Sequence, residues 1–281
     1  MSSLTVAIGR TKRTEALFDG SVADAALPLD LPAIPVISRA FAPMVREGRY
    51  PVSEMAIATF LMAREAGAPI VLLPCVLAAR FQEAALLCHA DGPIRSPADL
   101  RGARIGVRAY SQTTGMWLRG TLAERFGIAA DEMRWITFED AHVASYRDPP
   151  FAQRAPQGAT LEAMLKAGEL DAAIFGADMP SDAAFRPVFA DAQAAGVAFE
   201  AAHGFVPVNH LLVARADVAS DRAGDIARLL ALLARAGASV TPRAALAPAL
   251  TLAAGFCAAQ GLTSRTLTLD EIWHGTPPGL S

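Results

Sequence analysis

Short apolar runs alternate with helix-like runs along nearly the whole chain, and this alternation predicts an α/β protein with a mostly parallel sheet in each of two lobes. Thr5 to Gly9 reads as a strand. After a polar loop, Ser53 is placed to cap a helix carrying Ile57 and Leu61 on its apolar side and ending near Gly67. Ile70 to Leu73 reads as a buried strand stopped by Pro74, and Ala84 to Cys88 as another. Ser96-Pro97-Ala98-Asp99 then opens a new unit, with Ser as cap, Pro at the first helical position and an acid at the third. A strand over Arg104 to Val107, a helix over Gln112 to Phe126 and a strand over Arg134 to Phe138 follow.

Residues 139–159, with Asp148-Pro149-Pro150 in their middle, read as a long excursion. Thr160 caps a short helix ending near Gly168, and Asp171 to Gly176 and Leu211 to Ala214 are later strands. Helices over roughly 221–236 and 242–260 close the pattern. A chain of 281 residues suits two lobes better than one. A strand leaving near residue 88 and another returning near 211 would form a double hinge. The expected division is residues 1–88 in the first lobe, 89–210 in the second, and 211–281 as a return strand with C-terminal helices packing on the first.

Several function classes are disfavoured. Lys and Arg number 25 against 28 Asp and Glu and form no basic run, so nucleic acid is not an expected partner. Ala244 to Ala259, broken by Pro248 and Thr251, is too short to span a bilayer. The first residues enter a strand without a basic head or cleavage site, so a cytoplasmic location is expected. Cys75, Cys88 and Cys257 form no CxxC pair and read as reduced, buried thiols. There is no P-loop, GxGxxG, HExxH, EF-hand or GxSxG pattern. Glu139-Asp140-Ala141-His142 reads as solvated loop sooner than as metal ligands, so neither a metal nor an organic cofactor is expected.

In an open α/β sheet a ligand lies beyond the carboxyl ends of the strands. Two helix starts, Ser53-Glu54 and Ser111-Gln112-Thr113-Thr114, are expected there, and their free N–H groups favour a carboxylate between the lobes. Simple capping explains the same residues. Arg80 follows a strand segment and suits a bidentate carboxylate clamp or an interlobe salt bridge; Arg10, past the first strand, has a similar but weaker claim. Trp117 is a core residue or an aromatic platform, and Asp178 caps a turn or faces the ligand.

Particular segments go further. Pro51-Val52-Ser53-Glu54-Met55, Leu77-Ala78-Ala79-Arg80-Phe81, Ile94 to Gly102, Ile105 to Tyr110, Thr113 to Gly120, Gly168 to Ile174 and Pro207-Val208-Asn209-His210 occur in this order over most of the chain. Together they resemble the 4,5-dihydroxyphthalate decarboxylase family, a branch of the two-lobed type II periplasmic-binding-protein fold. The chain departs from that family at Pro51, where an acid is usual, and at 139–150, where a Gly-rich loop is usual; it is also shorter.

The resemblance implies cofactor-independent decarboxylation of a hydroxylated aromatic dicarboxylate in the interlobe cleft. Such a reaction protonates the ring carbon that bears the carboxylate, with a ring hydroxyl supplying electrons. His210, His142 and Glu54 are the candidate acids, His210 foremost because it abuts the expected hinge strand. Tyr110 and Asn209, inside the family-like segments, join the candidate substrate contacts. A solute-binding protein of the ABC-transporter type for a small organic anion is the alternative. Intracellular enzymes of menaquinone and thiamine-pyrimidine biosynthesis, which share the fold, are a further one. The oligomeric state stays open, a homodimer included.

Overall fold

The computed structural model describes residues 3–176 and 179–280. The chain first lays down β1 (Leu4–Ala7), α1 (Glu15–Phe18), β2 (Leu29–Asp30), α2 (Phe41–Glu47), β3 (Val52–Ala56), α3 (Ile57–Glu65) and β4 (Ile70–Ala79). It crosses into a second sheet with β5 (Leu86–His89), β6 (Arg104–Val107), α4 (Thr113–Phe126), β7 (Arg134–Thr137), β8 (Ala152–Arg154), α5 (Leu161–Lys166), β9 (Ala172–Ile174) and β10 (Phe185–Pro187). After α6 (Ala192–His203) it returns as β11 (Val208–Arg215). It finishes with α7 (Ala216–Asp221), α8 (Ala223–Ala236), β12 (Ser239–Val240), α9 (Arg243–Ala259) and α10 (Leu269–Trp273).

The first sheet has the order β12-β4-β11-β3-β1-β2 and the second β10-β5-β9-β6-β7-β8. Two lobes are therefore present, and both sheets are mixed: the second is mostly parallel, through β9, β6, β7 and β8, while the first is mostly antiparallel. β11 enters from the crossing point and runs antiparallel to both β3 and β4. The crossings sit elsewhere than expected. β5 already pairs in the second sheet and β11 starts at Val208 in the first, so the borders at 88 and 210 both fall inside strands. The chain changes lobes at residues 80–85 and again at 188–207, and the Arg80 N–H donates to the Pro207 carbonyl to tie the crossings together (3.0 Å).

Strand periodicity sorts the core. In β4, Val71, Leu73, Cys75 and Leu77 face one side with Leu212, Leu229 and Leu233, while Ile70, Leu72 and Val76 face the other with Met55, Phe60 and Trp117. Pro74 does not stop this strand. Leu73 pairs with Leu212 and Val76 with Leu211, so Pro74 and Cys75 form a bulge where the missing N–H has no ladder to break. The region read as a helix start at Ser53 is β3, buried along its whole length, and α3 begins only at Ile57. The excursion supplies an edge strand, β8, parallel to β7.

The C-terminal helices do not pack on the first lobe alone: α9 rests against both α3 and α4. Gly120 on α4 makes this approach close, since a Cβ there would lie 2.1 Å from the Phe256 ring. Just past α9, the Gln260 side chain accepts from Arg119 Nε (2.7 Å) and donates to the Met116 carbonyl (2.8 Å). Arg119 is fully buried and forms no ion pair among the described residues, its guanidinium lying over the Tyr110 and Trp135 rings at 4.0 and 4.9 Å. No helix among the described residues is long and apolar enough to cross a membrane.

Candidate interlobe site

Antiparallel pairing of β11 with β3 sets Leu212 opposite Glu54 and His210 opposite Ala56. Glu54 and His210 are thus diagonal neighbours within reach of each other. His210 Nδ1 lies 2.6 Å from Glu54 Oε1, while the Gly9 N–H, from the loop after β1, donates to Glu54 Oε2 (2.8 Å). Glu54 is 4% exposed, so a buried carboxylate has both oxygens engaged by groups from two other strands' ends. The carboxylate accepts from Nδ1–H, which fixes the ring's orientation and leaves Nε2 without a partner among the described residues.

A second imidazole arrives from the other lobe. His142, in the excursion after β7, places Nδ1 2.9 Å from Thr59 Oγ1 on α3. Phe41, buried at the start of α2, meets both rings edge to face, at 5.5 Å for His142 and 5.2 Å for His210. Burial, reinforced by Arg108, Arg46 and His210, pulls the His142 imidazole down to about 4. An imidazole so shifted is uncharged at neutral pH, which suits a hydrogen-bonding group better than a general acid.

Arg80 reaches across from the end of β4. Its guanidinium contacts Thr114 Oγ1 (3.3 Å) and the Gly176 carbonyl (3.5 Å) and has no acidic partner among the described residues. The Gln112 Oε1 atom, at the α4 start, is buried with no hydrogen-bond partner among the described residues. Ser111, Thr113 and Thr114 are buried at the same helix start. There the two lobes touch, the Ala58 N–H of α3 donating to Thr113 Oγ1 (3.3 Å).

Other expected contacts lie elsewhere. Ser53 is wholly buried in β3, its hydroxyl spent on the Glu54 carbonyl (2.8 Å). Arg10 is exposed and paired with Glu15 (2.6 Å), because the short loop after β1 turns it outward. Tyr110 is buried in the α9 joint with its hydroxyl on the Gln260 carbonyl (3.2 Å). Trp117 is core: its indole N–H donates to the Val208 carbonyl (2.8 Å) and its rings pack on Phe199, Phe205 and Phe256. Asn209 exchanges hydrogen bonds with Gln82 (2.8 and 3.3 Å), fastening the two crossings rather than facing a ligand. Asp178 lies outside the described residues. Sequence reasoning missed Phe41, Arg46 and Thr59, which sit in segments with no local pattern to single them out, and Arg108, which lies inside the family-like segment Ile105 to Tyr110 but was not picked from it.

The NMT1/THI5 like family model matches residues 38–148. The 4,5-dihydroxyphthalate decarboxylase of Comamonas testosteroni is 29% identical over 238 residues, covering 77% of this chain and 69% of that one. The Pseudomonas putida protein of the same name is 31% identical over 183 residues, covering 61% and 69%. Among solved structures, the periplasmic aliphatic sulphonate binding protein of Escherichia coli superposes with a TM-score of 0.57 at 14% identity, covering 99% of this chain and 84% of that one. The alkanesulfonate-binding protein of Xanthomonas axonopodis pv. citri bound to MOPS gives 0.57 at 14% identity, covering 99% and 85%. These likenesses establish the two-lobed binding-protein fold.

Proposed function

The chain belongs to the 4,5-dihydroxyphthalate decarboxylase family, and from that premise we propose that it removes one carboxylate from a hydroxylated aromatic dicarboxylate held between its lobes. The observation that carries this reading is the pairing of buried Glu54 with half-buried His210, with Nε2 of His210 left for a substrate. In the proposed reaction the imidazolium gives its Nε2 proton to the ring carbon bearing the carboxylate. A ring hydroxyl supplies the electron density. The bond to the carboxylate carbon then breaks, its electrons restore the aromatic ring, and CO₂ leaves with a proton in its place. No cofactor is needed, because the ring itself holds the electrons. Water then returns a proton to His210.

Arg80 is assigned the substrate carboxylate, since a guanidinium at the seam with no acidic partner among the described residues has donors to spare. Neutral His142 is assigned a ring hydroxyl. A cytoplasmic setting is part of the proposal, in keeping with three buried, unpaired cysteines.

A panel of hydroxylated aromatic acids, followed by CO₂ release and ultraviolet spectra, tests the activity. General acid catalysis contributes about 10²–10⁴-fold, so His210→Asn should cut the single-turnover rate by that order while binding survives. A rate within a few-fold of wild type removes His210 from the mechanism. The alternative, a receptor for a small organic anion, is favoured by the shared fold. Tight binding across the panel with no CO₂ from any member would select it.

A further inference from the structure

Arg46 stands exposed on α2, in the first lobe, and has no acidic partner among the described residues. Its Nε donates to the carbonyl of His142 (2.8 Å) and its Nη2 to that of Ala141 (2.8 Å). Both carbonyls belong to the excursion of the second lobe. A planar guanidinium suits two successive carbonyls in a way that a lysine ammonium does not. The same residue is met from the first lobe a second time, by Thr59, and a third time by Phe41.

We propose that Arg46 is a positioning residue: by gripping the Ala141 and His142 carbonyls it brings the His142 imidazole from the second lobe into the half-site that Glu54 and His210 form in the first. The site is then complete only when the lobes are shut. Neither Glu54 nor His210 depends on this grip, because both stand on strands of the first sheet. The role given to Arg46 rests on the reading of this site as catalytic, but its geometry can be tested without turnover.

The groups that face the His142 ring are Thr59 on α3, Phe41 on α2, Arg46, His210 and Arg108, the last paired with Glu139 (3.0 Å). Proton–carbon NMR of the histidine rings, assigned with His142→Gln, follows the titration of His142 in wild type, Arg46→Lys and Arg46→Ala. Wild type should titrate far below an ordinary histidine. Arg46→Lys keeps the charge but loses the fork, so its His142 midpoint should rise by about one unit as the ring leaves its buried seat. Arg46→Ala should rise at least as far. In both variants kcat for CO₂ release should fall with KM less affected. An unmoved His142 midpoint in Arg46→Lys overturns the proposal, even in an active enzyme. A moved midpoint in a protein that releases no CO₂ upholds the positioning and rejects the decarboxylase reading alone.

Discussion

Both oxygens of Glu54 are committed before any substrate enters, one to Gly9 and one to His210, which makes the carboxylate a fixed support. His142 is the contrasting residue. Its imidazole sits at about 4 because burial, and then Arg108, Arg46 and His210, oppose its charge. In an unfolded chain it titrates near 6.5. Between these values the unfolded state takes up a proton that the folded state refuses. The stability it contributes is therefore complete above about pH 6.5 and is lost as the pH falls toward 4. At about 1.4 kcal/mol per unit the loss amounts to at most about 3.5 kcal/mol. Urea melts of His142→Gln, which cannot titrate, should show a flatter decline across that window than wild type; identical declines would mean that the ring is solvated.

Among the elements, the contact of α4 with α9 gives the sharpest expectation. Replacing a helical glycine by alanine ordinarily stabilises by about 1 kcal/mol. At Gly120 the new Cβ would meet the Phe256 ring at 2.1 Å, so Gly120→Ala should instead destabilise by about 1–3 kcal/mol. Gly224→Ala on α8, with open space around it, is the control and should be neutral or stabilising. Urea midpoints decide, and a stabilised Gly120→Ala would mean that α9 does not bear on α4. The elements also show where reading the chain succeeded. β6 matches its expected limits of Arg104 to Val107, and α4 and β7 fall within one residue of theirs, because each is a short apolar or periodic run between clear turn residues. β3 was misread because a strand buried on both faces lacks alternation, and Ser53 before Ile57 and Leu61 imitates a capped helix. Glu54 and His210 were legible as separate candidates. Their pairing was not, since it depends on β11 lying antiparallel beside β3. Arg46 and Thr59 find His142 at separations of 96 and 83 residues, which no local pattern encodes.

At the scale of the molecule, Arg80 connects the crossing segment to the second lobe and leaves its charge unmatched by any described acid. An aromatic dicarboxylate should bind the closed form selectively and raise the melting temperature; at a hundred times Kd the gain is about 2.7 kcal/mol. Arg80→Ala should lose most of that rise in differential scanning fluorimetry, and an unchanged rise would reduce Arg80 to a structural strut. The sheet orders carry a different consequence, for synthesis. Strands β5 to β10 are consecutive in the chain, so the second lobe holds all its strands once residue 187 has left the ribosome. The first sheet is begun earlier, but its central strand is β11, between β4 and β3. Until Val208–Arg215 emerges, β3 and β4 have open edges facing each other across a gap. The lobe translated first is therefore the one that closes last.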